Sequence, residues 1–371
     1  MGQTTVFHHV RVFDGERVLF ADTVIVEEDT IAAVGSDLAF PPGSTVIDGR
    51  GQTLLPGLID GHTHTFGPSG LQQALILGVT TELDMFTDWR LAQQLKTLQA
   101  AGEGRDKADL RSSGTLATAP GGHGTQFGLT IPTLTEPAKA QDFVDERIAE
   151  GSDYIKIIYD DGKSVGRSFN TLSKATMAAL VRAAHKRGKL AIVHITAYQS
   201  ACDAIELGAD ALAHLFVDTM PDQAFGDFVA EHHAFVVPTL AVLEGVTGKP
   251  GGASLVTNAW LAPYLTGEAV RQLQSTFPPR GSDAHPDYTV AEATLRHLKA
   301  ANVPILAGTD APMPGTAHGV SLHRELELLV KAGLTAGEAL AAATSVPAHL
   351  FGLKDRGRLV EGAPCAGTYL G

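Results

Sequence analysis

The chain has 371 residues, 44% hydrophobic and 19% charged, enough to bury one large core with a smaller domain attached. Its formal net charge of −13 is spread along the chain, and no Lys/Arg run could track a phosphate backbone, so nucleic acid is not an expected partner. No window reaches the ~18 apolar residues of a membrane span and the first residues do not read as a signal segment, so the expectation is a cytoplasmic protein, off the membrane.

In chain order, the first 55 residues carry β-branched alternation in "TTVFHHVRVF", "VLFADTVIVEED", "TIAAVGS", "STVIDGRG" and "QTLLPG", broken by "DGE", "EED" and "PPGS" turns. They predict a small, β-sandwich-like domain over 1–55. From Pro56 the pattern changes to short apolar runs, each followed by an Ala- and Leu-rich helical stretch. Strands are expected at Gly57–Gly61, Val79–Met85, Leu110–Ala119, Asp153–Tyr159, Lys189–His194, Ala209–Phe216, Ala234–Leu240 and Val303–Asp310. Eight strands alternating with helices over 56–353 predict an α/β fold, a (β/α)8 TIM barrel, and no GxGxxG supports an open nucleotide-binding sheet. In "TLSKATMAALVRAAHKRG", Thr171 or Ser173 is the expected helix cap and Gly188 the stop. The long connection 241–302 contains the helical pieces "LTGEAVRQLQSTF" and "TVAEATLRHLKAAN" and reads as an elaborated cover over the strand ends. Cys202 and Cys365 form no CxxC pair and read as packing residues.

In a barrel of this kind chemistry collects where the strands end. The first strand runs into "DGHTH", where His62 and His64, two residues apart in extended chain, face one side at a spacing that suits a transition metal; hydrogen-bonded turn histidines are the alternative. The fourth, "SDYIKIIYDDG", sets Lys156 among isoleucines. An ammonium there is costly unless paired, with Asp160 or Asp60, or neutral, in which case it can add carbon dioxide and become an anionic carbamate. The fifth and sixth end at His194 and His214, each of which alone could be a satisfied core histidine. The eighth, "VPILAGTDAP", ends at Asp310, and Pro312 and Pro314 weaken a simple helix-cap role. Imidazole and carboxylate donors suit zinc, manganese or iron better than calcium or magnesium.

The set "LLPGLIDGHTH", "YIKI", "VH", "AH" and "GTDA" resembles the amidohydrolase superfamily of metal-dependent hydrolases over nearly the whole chain. The resemblance implies two divalent metal ions, zinc first with manganese or iron as alternatives. His62 and His64 would hold the first ion and His194 and His214 the second. Lys156, as a carbamate made with carbon dioxide, would bridge them, and Asp310 would bind the first ion and shuttle the proton. The "GGHG" segment is similar to the imidazolonepropionase and prolidase-like branches and makes His123 a substrate-contact candidate; Tyr159 and Tyr198 are candidates for placing phenols near a developing oxyanion.

The reaction this implies is hydrolysis of a C–N amide bond of a small molecule, N-acyl amino acid or dipeptide-like. Lactone or phosphotriester hydrolysis, a mononuclear deaminase or cyclic amidohydrolase, and a non-enzymatic metal-binding protein are the alternatives. The superfamily commonly returns to the small domain through a C-terminal strand, whereas 354–371 begins that return and stops without an apolar strand. A truncated sheet with an open edge and a homo-oligomer are therefore expected.

Overall fold

The computed structural model describes residues 3–365 apart from Arg280 and Ser282. The N-terminal expectation of short strands holds: β1 (Thr4–His8), β2 (Arg11–Val12), β3 (Thr23–Glu27), β4 (Thr30–Gly35), β5 (Thr45–Asp48) and β6 (Thr53–Leu54). Four of them make a sheet in the order β4-β3-β1-β5, with antiparallel pairs at β1–β3 and β3–β4 and a parallel pair at β1–β5, while β2 pairs with β6. The alternating inward side chains, among them Phe7, Val24 and Val26, close on an apolar cluster that also takes in Leu359 from the far end of the chain.

The C-terminal segment returns to this sheet as expected: Leu359 N donates to Asp14 O, Gly362 N to Ile31 O and Ile31 N to Ala363 O, and Thr30 bridges antiparallel to Pro364. The contact corrects the expectation of an open edge. One end of the β4 edge is thus covered by backbone rather than open. The remainder of the expected truncation, 366–371, lies outside the described residues.

The next seven strands, β7 (Leu58–Thr63), β8 (Val79–Asp84), β9 (Asp109–Ser112), β10 (Ile155–Ile158), β11 (Ala191–His194), β12 (Ala211–Ala213) and β13 (Phe235–Val237), are parallel and alternate with helices, an α/β fold. They form the sheets β7-β8-β9 and β10-β11-β12-β13. Parallel bridges at Ala117–Ile157, Val236–Ile305 and Thr63–Ala311 join them through two stretches that are not continuous strands. The expected third strand, Leu110–Ala119, breaks after Ser112, where Gly114 turns to positive φ (+59°). The expected eighth, Val303–Asp310, keeps backbone bonds to both neighbours, Leu306 N to Val236 O and Gly61 N to Ala307 O, without a regular ladder. Helix Lys174–Lys186 starts at Ser173, whose side chain accepts from Thr176 N, and stops before Gly188 at φ +64°. In the 241–302 connection, helices Gly267–Gln274 and Tyr288–Ala300 form where the sequence pattern placed them. No helix among the described residues is long and apolar enough to cross a membrane.

The eighth segment packs against β7 so closely that a side chain would not fit. A Cβ at Gly308 would stand 2.5 Å from Val237 Cγ1 and 2.9 Å from the Cβ of His62. Gly308→Ala is therefore expected to cost about 1–3 kcal/mol through overpacking, read as a lowered urea midpoint with unchanged slope.

Candidate metal centre

The six predicted ligands come together at the carboxyl ends of the strands. His62 lies in β7 and His64 just beyond it, and both rings turn to the same side, centroids 5.4 Å apart. Their Nε2 atoms reach one oxygen: His62 Nε2 stands 3.2 Å and His64 Nε2 2.9 Å from Asp310 Oδ1. Lys156 Nζ lies 3.4 Å from His62 Nε2. The ring of His214 is 4.7 Å from that of His62 and 4.5 Å from that of His194. Ligand atoms of His62, His214 and Asp310 all lie within 4.8 Å of one another, a spacing able to hold a metal ion.

Hydrogen bonds choose the nitrogen that each histidine offers. The Thr239 hydroxyl donates to Pro238 O (2.8 Å), so toward His214 Nδ1, 2.7 Å away, it can only accept. His214 therefore carries its proton on Nδ1 and presents the Nε2 lone pair. His64 Nδ1 faces Phe86 O at 3.2 Å, which likewise frees Nε2. His194 is turned the other way: its Nε2 faces Asp160 Oδ2 at 3.5 Å, which leaves Nδ1 to ligate. His62 Nδ1 is buried without a partner.

Electrostatics favour the same state. Burial, then the neighbouring Lys156, drives the His62 pKa down to about 3. Burial, then His194, holds His214 well below the ordinary imidazole value. Burial pushes the Asp310 carboxyl up, but His62 and His64 outweigh it and the group lies well below the usual carboxylate range. Neutral imidazoles and an ionised carboxylate are the donor set of a divalent transition-metal site, and the residues fit such an ion.

Neither expected ion pair of Lys156 forms. Asp60 accepts instead from His62 N, Thr309 N and the Thr309 hydroxyl (3.1, 3.1 and 2.7 Å), tying β7 to the eighth segment. Asp160 accepts from the Thr196 hydroxyl at 2.8 Å and faces His194. Lys156, 2% exposed, stands without a carboxylate within 4 Å among the described residues, and burial lowers its pKa to about 7.

Three site residues hold left-handed backbone, His214 (φ +73°), Thr239 (φ +51°) and Asp310 (φ +59°). For a β-branched threonine this is a strained conformation that costs roughly 1–3 kcal/mol and persists only when its surroundings enforce it. Here the buried Glu325 carboxylate accepts from Leu240 N and Ala241 N at 3.0 and 2.7 Å, pinning the chain right after Thr239. Sequence reasoning missed both residues: "PTL" resembles an ordinary helix entry, and Glu325 lies in a helix 85 residues further on.

A cavity of about 460 Å³ opens over the ligands. His123 lines it, its ring stacked 4.8 Å from His194, and Gln126 Nε2 donates to its Nδ1 at 2.9 Å. Desolvation in the wall, then His194, takes its pKa to about 3. The "GGHG" glycines allow this path: a Cβ at Gly122 would stand 2.3 Å from Thr118 Oγ1 and 3.0 Å from Asn170 O. Tyr159 and Tyr198 do not line the cavity, which corrects both as oxyanion candidates. Lys156 and Ile158 face inward, so alternation turns Tyr159 outward, where its hydroxyl donates to Asp203 Oδ2 at 3.0 Å. Tyr198 begins helix Tyr198–Glu206 and packs on Phe216 and Phe225. Asp160 and Arg167, which were not singled out as cavity residues, do line it, as do Val242, Leu243 and Phe277 from the long connection.

The model of the Amidohydrolase family matches residues 53–364. The chain belongs to that family. Among curated relatives, a dihydroorotase of Lactobacillus helveticus is 27% identical over 173 residues, 38% of this chain and 40% of the relative. A dihydroorotase of Mycobacterium tuberculosis is 47% identical over 55 residues, 15% of this chain and 12% of the relative, and an enamidase of Eubacterium barkeri is 44% identical over 52 residues, 14% of each. The amidohydrolase chain thus spans well under half the length of these relatives. Solved structures match it almost end to end. A Xaa-Pro dipeptidase with bound methionine superposes with TM-score 0.75 at 21% identity, covering 98% of this chain and 92% of that one. The ochratoxinase of A. niger does so with TM-score 0.72 at 20% identity, covering 98% and 88%. At these identities the likeness is one of fold.

The tautomer of His214 can be tested without a substrate. Thr239→Val removes the acceptor for His214 Nδ1 and is expected to weaken metal affinity about 10- to 100-fold, measured by competition with a chromophoric chelator; unchanged affinity would remove Thr239 from the site.

Proposed function

We propose that this amidohydrolase is a binuclear metal-dependent hydrolase that cleaves a C–N amide bond of a small molecule, N-acyl amino acid or dipeptide-like, in a closed (β/α)8 barrel. The bridges that join the two parallel sheets at both ends support the barrel. The observation that carries the reaction is the meeting of four histidines and Asp310 around a buried lysine that has no carboxylate partner.

With a pKa near 7, a large share of the Lys156 amine is unprotonated at neutral pH. Carbon dioxide added to Nζ, with loss of a proton to solvent, would turn it into a carbamate whose oxygens could serve as anionic metal donors. A mononuclear deaminase would have no use for a lysine there, which favours the binuclear reading. Two divalent ions, zinc or otherwise manganese or iron, would be held by His62, His64 and Asp310 on one side and His194 and His214 on the other, and when bound they supply a hydroxide nucleophile near neutral pH and polarise the carbonyl. Asp310, anionic and next to His62 and His64, accepts the nucleophile's proton on its carboxylate and delivers it to the departing amine nitrogen. His123 carries a proton on Nε2 when Nδ1 accepts from Gln126, a donor for a substrate carbonyl or tetrahedral oxyanion.

A screen of the metal-loaded protein against N-acyl amino acids, dipeptides, lactones and phosphotriesters, with a chelated control, tests this reading. Chelator-sensitive amine release is the expected result, and turnover confined to lactones or phosphotriesters would move the bond class. Asp310→Asn should lower kcat by about 10²- to 10⁴-fold with metal retained; unchanged turnover would end the shuttle role. Lys156→Ala should bind one equivalent of metal rather than two, without rescue by bicarbonate, as read by elemental analysis. His123→Ala should raise KM or lower kcat at full metal content, and loss of metal would make it a ligand instead.

A further inference from the structure

Apart from the ligands and His123, the cavity wall is mostly apolar, and Arg167 is the cationic side chain in it besides Lys156 among the described residues. Its partners are neutral. Nη2 donates to Pro278 O at 2.7 Å and Nη1 to Pro279 O at 3.2 Å, and no described carboxylate lies within 4 Å of it. Its backbone is held in place, since Arg167 N donates to Gly162 O at 2.8 Å and Gly166 O accepts from Gly281 N at 3.2 Å. The half-buried guanidinium thus stands at the rim of the cavity, its fork filled by two consecutive carbonyl oxygens.

We propose that Arg167 anchors the free carboxylate of the substrate, so that the substrates are N-acylated amino acids with an apolar side chain. The inference rests on the amide-hydrolase reading of the same site. A carboxylate presents two oxygens to a guanidinium fork in the arrangement that the two prolyl carbonyls occupy, and charge-assisted bonds are about twice as strong as neutral ones. An arriving carboxylate therefore displaces the carbonyls. Position argues for the same end of the cavity: the candidate ligands occupy its floor, where the scissile amide would sit, so a carboxylate further out needs a cation of its own, and Arg167 is the one that the wall offers at the rim. Leu116, Phe127, Phe169, Leu243 and Phe277 offer the apolar surface for the side chain between the ligands and the rim.

N-acetylphenylalanine and its carboxamide differ only in the charge that Arg167 would read. On the metal-loaded protein, the acid is expected to be cleaved at least about tenfold better in kcat/KM, scored by the freed phenylalanine or phenylalaninamide. Arg167→Met should raise KM for the acid about 10- to 100-fold while leaving the carboxamide within about twofold, and Arg167→Lys should fall between. An equal loss on both compounds would mean that Arg167 only holds the Pro278–Pro279 segment, and a wild-type protein indifferent to the charge would also overturn the anchor. If neither compound is hydrolysed, the amide reading fails by itself and calorimetric binding decides about Arg167. Tighter binding of the acid that Arg167→Met abolishes sustains the anchor, and equal binding of acid and carboxamide ends it.

Discussion

Two imidazoles from one strand meet one carboxylate oxygen from the far end of the chain, and the rest of the structure serves that meeting. His62 and His64 can both reach Asp310 Oδ1 only if β7 and the segment before Asp310 lie in backbone contact. Asp60 secures this by accepting from Thr309 twice and from His62 N, and the absence of a side chain at Gly308 permits it. A buried carboxylate is costly unless its oxygens are satisfied, and burial raises the Asp60 pKa to about 8. Its three hydrogen bonds to the adjoining segments offset that cost where the ligands need to be fixed.

The same economy of means recurs around the second pair of histidines. His214 and Thr239 both take left-handed backbone, and Thr239 serves as the acceptor that sets the His214 tautomer. Strain in β-branched residues is retained only under constraint, and the constraint here comes from Glu325 on the amides that follow. A carboxylate in a surface-packing helix thereby governs which nitrogen a ligand presents. Asp160, with Thr196 and Ser164 behind it, plays a similar part for His194. Burial holds His62 and His214 neutral and the hydrogen bonds aim the rings before any ion arrives, which is how a site lowers the reorganisation that binding requires.

Much of this was legible in the residues. Ligand spacing in β7, a lysine among isoleucines, and histidines and an aspartate at the ends of apolar runs all survive in three dimensions, because extended chain and alternating side chains leave little freedom at those positions. Tyr159 and Tyr198 were misread for the same geometric reason. Proximity along the chain to Lys156 and His194 said nothing about the face, and one residue of alternation or the start of a helix turned each phenol away. The third strand was read as longer than it is, since Gly114 bends the backbone after Ser112, and the eighth was read as a strand although it makes only isolated bridges at Ile305 and Ala311.

The amino-acid sequence by itself determined the alternation of strands and helices and the small N-terminal sheet, which follow from local periodicity, and it marked as candidates four histidines, a lysine and an aspartate at the ends of apolar runs, where burying polar groups is costly. Only the tertiary structure decided how those groups are used. Lys156 goes unpaired because Asp60 and Asp160 are engaged elsewhere. Arg167 enters the cavity because Pro278 and Pro279, more than 100 residues further on, pack against it, and the C-terminal segment covers part of β4 although it has no strand-like run. Each of these depends on contacts between segments remote in the chain, and no local pattern encodes which of several possible partners a buried charge will meet.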